Sequence, residues 1–166
     1  MVTVDFLAIG LLRDDGPCPF CQYPPHLDRE EPLDSIDDML AYLEHFKDKK
    51  QEFVVCLSLD VKRRLISRRV VFIGSLTASI VHPREIFAGA LDDRACSVVI
   101  AHNHPSGEPT PTKADIALTQ QLMAAGQIMG IPIEDHIIIG KYGHFSFKAN
   151  GLMLEGSSFK NQLRQS

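Results

Sequence analysis

The spacing of apolar residues predicts helices in several stretches of the chain. Over about 35–50, apolar positions recur every three or four residues, which predicts a helix with one apolar face. The residues of that face are Ile36, Met39, Leu40, Leu43 and Phe46. Ser35 can cap this helix, because Asp38 follows three residues later as in a capping box. Further helices are predicted from Pro83 to about Arg94 and from the Thr112 cap to about Met129.

Short apolar runs between these helices predict strands. They cover residues 53–59, 65–73, 97–101, 132–139 and 142–147. The polar turn at 60–64 predicts that the first two strands form an antiparallel pair. The succession of strands and helices predicts an α/β (or α+β) fold, in which helices sandwich a mixed central sheet.

Composition indicates one globular domain. The chain has 166 residues, of which 45% are hydrophobic and 23% charged. Breaks at several prolines predict an irregular N-terminal arm over 1–33, followed by the domain at 34–155 and a polar tail at 156–166. Cys18 and Cys21 lie in the arm, and their spacing leaves a structural zinc, a redox pair and a loose knuckle open.

Charge and hydropathy exclude some locations and partners. No apolar run reaches the roughly 18 residues that span a bilayer, so no membrane association is predicted. The N-terminus lacks the basic region of a signal peptide, so a cytoplasmic protein is expected. The net charge of -4 and the pI of about 5.9 argue against a nucleic-acid surface. The basic residues at 62–64 and 68–69 are interpreted as a solvated hairpin turn and sheet edge.

A metal site is predicted where the strand at 97–101 ends. His102 and His104 are two residues apart, so both imidazoles point to one side of an extended chain. Asp115 follows in the first turn of the next helix. Two histidines and one carboxylate leave a fourth position open, which is typical of a catalytic Zn²⁺ site. In the alternative interpretation, Asp115 only forms a capping box with Thr112, and the histidines are structural.

Hydrolysis at such a site also requires a carboxylate that is not a ligand and can move a proton. Glu52 precedes the strand at 53–59 and would face the site if that strand lies beside 97–102. Glu85 and Glu108 are the alternatives. The signature of zinc-dependent nucleobase deaminases, His-x-Glu with Pro-Cys-x-x-Cys, is absent from the sequence.

These residues resemble a known motif. His102-x-His104-Pro-Ser with Thr112-x-x-Asp115 is similar to the JAMM motif of MPN-type metallopeptidases. More narrowly, four segments resemble the RadC family: 81–86, 101–108, 113–115 and 135–140. The resemblance covers roughly residues 35–153, without the helical N-terminal domain of full-length RadC proteins.

The resemblance implies a cytidine-deaminase-like sandwich with zinc held by His102, His104 and Asp115. It implies that Glu52 is the proton shuttle. The family's usual serine is Thr112 here, which keeps the hydroxyl that would hold the oxyanion. The predicted function is a zinc-dependent hydrolase that cleaves amide or isopeptide bonds of a protein or peptide. A nucleic-acid-associated accessory protein, with a DNA-repair role, and an inactive scaffold are the alternatives.

Overall fold

The computed structural model describes residues 31–74 and 81–153, and its centre is a five-stranded sheet. The strands are β1 (Glu52–Leu59), β2 (Leu65–Gly74), β3 (Ser97–Asn103), β4 (Ile133–Gly140) and β5 (Gly143–Ser146). The helices are α1 (Ile36–Ala41), α2 (Pro83–Asp92) and α3 (Lys113–Met129), with a 3-10 helix at Glu44–Phe46. Most of the predicted arm, the Cys18–Cys21 pair and the predicted tail lie outside the described residues.

The sheet is mixed, as predicted. Its strand order is β2-β1-β3-β4-β5, and only β3 and β4 run parallel to each other. The β1–β2 hairpin turns at Asp60, whose Oδ1 accepts hydrogen bonds from the backbone N–H groups of Lys62 and Arg64. β1 and β3 are antiparallel neighbours, with Val54 opposite His102. Glu52 therefore begins a strand that runs directly beside the strand of the two histidines.

Helices cover both faces of the sheet. On the first face, α1 and the 3-10 helix pack on alternate residues of the central strands, including Val55, Leu57, Val99 and Ala101. On the second face, α2 and α3 pack on the residues between them, which are Val54, Cys56, Val98 and Ile100. The sandwich predicted from the apolar pattern is confirmed. Leu33, at the end of the predicted arm, is fully buried in the first core.

The predicted helix over about 35–50 was wrong in its length. The Ser35 capping box is present, but α1 ends at Ala41, and several of the following N–H groups, such as those of Leu43 and Phe46, donate to the carbonyl three residues earlier. Those bonds suit a 3-10 turn, which repeats every three residues. Leu40, Leu43 and Phe46 are spaced by three, so they still face the core after the helix changes type. The apolar face was therefore predicted correctly.

The helices in the described part of the chain include none that is both long and apolar enough to cross a membrane.

Candidate metal centre

The two histidines and the aspartate meet on the second face of the sheet. His102 lies at the end of β3, His104 just beyond it, and Asp115 in the first turn of α3. The two Nε2 atoms are 3.1 Å apart, and Asp115 lies 3.2 Å from His102 and 3.4 Å from His104. All three residues are buried. The structure therefore brings together three potential ligand atoms from two elements.

The spacing of these atoms fits a metal ion. Two ligands of a tetrahedral zinc ion, each about 2.1 Å from the metal, lie about 3.4 Å apart. The observed separations of 3.1, 3.2 and 3.4 Å are close to that value. The His102–His104–Asp115 triad could thus hold a metal with a fourth position left for water or substrate.

Asp115 serves as both a helix cap and a candidate ligand. Its Oδ2 accepts hydrogen bonds from the backbone N–H and the hydroxyl of Thr112, both at 2.7 Å, while the Thr112 hydroxyl accepts from the Asp115 N–H. Asp115 Oδ1 lies nearest His102 Nε2. The capping box holds Oδ2, which also lies 3.4 Å from His104 Nε2, and leaves Oδ1 outside the box beside His102. The two sequence interpretations of Asp115 are therefore compatible.

His104 is oriented by the loop that follows it. The Nδ1 atom of His104 lies 2.7 Å from the backbone carbonyl of Glu108. Because a carbonyl only accepts, Nδ1 carries the proton and Nε2 faces the candidate site. This loop packs on the end of β4, where a Cβ on Gly140 would lie only 2.2 Å from the Gly107 carbonyl oxygen. Gly140 thereby allows the close approach that places Glu108 beside His104.

His102 has a buried partner on β4 that sequence reasoning missed. Its Nδ1 lies 2.9 Å from His136 Nε2, and His136 Nδ1 lies 2.6 Å from the hydroxyl of Thr119 on α3. His136 stood within the segment 135–140 that carried the family resemblance, which was the only signal available. Thr119 gave none.

The charges of the site shift three pKa values. Burial is the strongest influence on Asp115 and opposes its ionisation, but its close contacts with His102 and His104 outweigh burial and hold the pKa of Asp115 well below the ordinary value. The hydrogen bond to Asp115 raises the pKa of His104, and the charge of Glu52 adds to that rise. Burial, reinforced by repulsion from His102, lowers the pKa of His136.

Glu52 is placed near the site by its strand and its backbone contacts. It lies two residues before Val54, which is opposite His102, so it shares the histidine's side of the sheet. Asn103 fixes the backbone around it: the Asn103 amide oxygen accepts from the Phe53 N–H at 2.7 Å, and the amide nitrogen donates to the Gln51 carbonyl at 3.0 Å. The residue between the two histidines therefore holds both neighbours of Glu52.

The alternative glutamates have other surroundings. Glu85 is exposed and forms an ion pair of 2.9 Å with its neighbour Arg84. Glu108 is exposed, and it contacts His104 through its backbone carbonyl. Of the three candidates, Glu52 is the one whose charge acts on a candidate ligand.

Comparison with known proteins agrees with this geometry. Residues 33–152 match the RadC-like JAB domain. The chain belongs to the RadC family. This match spans the whole described sheet and every residue of the candidate metal centre.

RadC relatives are similar over the same region. A UPF0758 protein of Bacillus cereus (strain B4264) is 48% identical over 118 residues, which is 70% of this chain and 52% of the relative. A UPF0758 protein of Bacillus mycoides (strain KBAB4) is 46% identical over the same length, with the same coverage. The chain spans about half the length of these curated relatives.

Proposed function

We propose that this protein is a JAMM-type zinc-dependent hydrolase that cleaves amide or isopeptide bonds in a protein or peptide substrate. The observation that carries the proposal is the meeting of two imidazole Nε2 atoms, 3.1 Å apart, with one carboxylate, whose Oδ1 lies 3.2 Å from His102 and whose Oδ2 lies 3.4 Å from His104. Three protein ligands with an open fourth position are typical of catalytic zinc, whereas structural zinc is usually enclosed by four.

The ligands divide the work of holding the ion. His102 and His104 would each offer Nε2, and Asp115 would offer the oxygen that Thr112 leaves unbonded. Bound Zn²⁺ supplies Lewis acidity and lowers the pKa of a water molecule to about 7.

Glu52 is the proposed proton shuttle. Amide hydrolysis forms a C–O bond to water and breaks the C–N bond, so one proton must move from the water to the leaving nitrogen. Glu52 is only half-buried and lies on the histidine side of β1, so it can meet both water and substrate. Its carboxylate accepts the proton first and donates it to the amine afterwards.

Thr112 is the proposed donor to the oxyanion. Its hydroxyl donates to Asp115 in the structure, so it must exchange that bond for one with the substrate oxygen. Thr112→Ser keeps both the cap and the donor, whereas Thr112→Val removes both. Zinc content separates the two roles: loss of turnover with full zinc supports the oxyanion role, and loss of zinc assigns Thr112 to the cap alone.

A nucleic-acid-binding function has less support. Three arginines of the basic hairpin are paired with nearby carboxylates. The distances are 3.6 Å for Arg63–Asp34, 2.6 Å for Arg64–Asp60 and 2.6 Å for Arg69–Asp93. Local carboxylates offset the positive charge that a phosphate backbone would need. We therefore favour a protein or peptide substrate, and we propose the cytoplasm as the compartment.

The metal proposal is tested by elemental analysis of purified protein. Wild type should carry about one zinc per chain, and His104→Ala should carry far less. His144→Ala is the matched control, because His144 is an exposed histidine outside the triad. Equal zinc in wild type and His104→Ala would contradict the ligand assignment.

The hydrolase proposal is tested by Glu52→Gln, after a fluorogenic peptide and isopeptide library has identified a cleaved bond. The amide keeps the shape of the side chain but cannot accept a proton, so turnover should fall by about 10² to 10⁴ while zinc is retained. Glu85→Gln is the control and should hydrolyse normally. An active Glu52→Gln beside an inactive Glu85→Gln would move the shuttle to α2.

A further inference from the structure

We propose that His136 and Thr119 are positioning residues that fix His102 in the one neutral tautomer able to bind a metal through Nε2. The inference rests on the proposed metal centre and deepens it. It follows from which atom must donate in each hydrogen bond of a buried series that links Thr119, His136 and His102.

The series of hydrogen bonds begins at the backbone carbonyl of Asp115, which can only accept. The Thr119 hydroxyl donates its single hydrogen to the backbone carbonyl of Asp115 at 2.6 Å, one helical turn earlier. With that hydrogen committed, the hydroxyl oxygen must accept from its other partner, which is His136 Nδ1 at 2.6 Å. The proton of His136 is thereby placed on Nδ1.

The same logic continues to the candidate ligand. A neutral His136 with its proton on Nδ1 presents a lone pair at Nε2. His102 Nδ1, 2.9 Å away, must then donate to it. Neutral His102 is left with a lone pair on Nε2, the atom that faces His104 and Asp115.

His136 is held firmly enough to transmit this preference. Its side chain is buried, and its ring stacks on Phe147 with centroids 4.9 Å apart and planes 11° from parallel. Thr119 is buried as well. Rings that are packed in this way cannot turn to offer the other nitrogen without displacing neighbours.

The series of hydrogen bonds begins and ends at residues of the candidate metal centre. It starts at the carbonyl of Asp115 and ends at His102, and both residues offer ligand atoms to the same ion. β3, β4 and α3 are therefore connected by polar contacts at one point. Partners of this kind raise ligand basicity and typically change metal affinity by about 10- to 100-fold when removed.

The first test compares two variants of His136. Gln offers a side-chain oxygen that can accept from His102 Nδ1–H, whereas Leu offers none. We expect His136→Leu to bind Zn²⁺ about 10- to 100-fold more weakly than wild type, measured by competition with a chromophoric chelator, and His136→Gln to recover most of that loss. Melting of the metal-free proteins checks that both variants fold. Equal zinc affinities in folded His136→Leu and His136→Gln would overturn the proposal.

The second test changes Thr119, the next residue in the hydrogen-bond series, and leaves both imidazoles in place. Thr119→Val keeps the shape but removes the hydroxyl, and Thr119→Ser restores it. Long-range ¹H–¹⁵N NMR of metal-free protein should show His102 and His136 protonated on Nδ1 in wild type and Thr119→Ser, and a mixture of tautomers in Thr119→Val. A wild-type His102 protonated on Nε2 would overturn the proposal.

These readouts separate this inference from the proposed function. If wild type binds no zinc but shows both Nδ1 tautomers, the metal centre fails while the positioning by His136 and Thr119 stands. If wild type binds zinc and Thr119→Val keeps the wild-type tautomers, the metal centre stands and the positioning fails.

Discussion

The two faces of the sheet bury their side chains under different rules. The face covered by α1 and the 3-10 helix is filled by apolar residues such as Leu57 and Phe46. The face covered by α2 and α3 is equally apolar up to Ile100, but its core gives way at the end of β3 to His102, His136, Thr119 and Asp115. The same two-helix cover thus encloses an ordinary core and a polar site.

The difference teaches where specificity is required. Apolar burial is non-directional and depends mainly on volume. Each buried polar atom needs a partner at the correct distance and angle, because an unpaired one costs about 1–3 kcal/mol. The polar end of the second face is therefore constrained at every atom, whereas the apolar centre of the first face, around Leu57, is constrained mainly by how well it is filled.

The largest effect on stability should come from a cavity in the first face. Leu57 is fully buried, and Leu57→Ala should lower the free energy of unfolding by about 2–5 kcal/mol. Leu57→Met conserves volume and should cost less than about 1.5 kcal/mol. Urea denaturation of the three proteins measures both values.

The zinc affinity of folded Leu57→Ala sharpens the comparison. Leu57 points away from the face that bears the triad. The dissociation constant for zinc should therefore match that of wild type under conditions where the variant is fully folded. A weaker affinity would mean that the two faces are energetically coupled and that the contrast between them is not sound.

A smaller effect on stability is expected from replacing Asn103, a polar residue at the end of β3 on the first face. Asn103 is buried and bonds the backbone on both sides of Glu52. Asn103→Ala leaves the partly buried Phe53 N–H without its acceptor, so the free energy of unfolding should fall by about 1–3 kcal/mol. Turnover should fall while zinc is kept, because Glu52 loses its support and the triad does not.

Zinc content and turnover of Asn103→Ala are measured together, with Glu52→Gln as the reference. Asn103→Ala that hydrolyses as fast as wild type would show that Glu52 needs no support from β3. Zinc loss in Asn103→Ala would place the residue in the metal centre itself.

Local patterns were enough to predict most of the fold. The Ser35 and Thr112 caps, the turn at Asp60 and the continuous burial along β1 each depend on residues that are close in sequence. The end of α1 could not be predicted in this way, because apolar residues spaced by three suit both an α-helix and a 3-10 turn.

The residues of the candidate site also differ in whether a local sequence signal predicts them. His102, His104 and Asp115 were found because strand spacing and a helix cap are local signals. The contact of His136 with His102 joins residues 34 positions apart, and it depends on the parallel register of β3 and β4, which no short motif encodes. Asn103 was hidden for a similar reason, since its partners lie about 50 residues earlier.

The smallest perturbation is chemical labelling of the cysteines, which reports on the apolar part of the second face. Burial raises the pKa of the Cys56 thiol to about 12, against the charge of nearby Arg69, whereas Cys96 is exposed. Because the thiolate is the reactive form, iodoacetamide at about pH 8 should label Cys96 in the native protein and leave Cys56 unmodified. Peptide mapping by mass spectrometry distinguishes the two sites, and Cys56 should react once the protein is unfolded in urea.

In Leu57→Ala, labelling of Cys56 should accelerate about tenfold for each 1.4 kcal/mol of stability lost, if it requires global opening. Labelling of Cys56 at the same rate in wild type and Leu57→Ala would instead mean that the second face opens locally, without unfolding of the first.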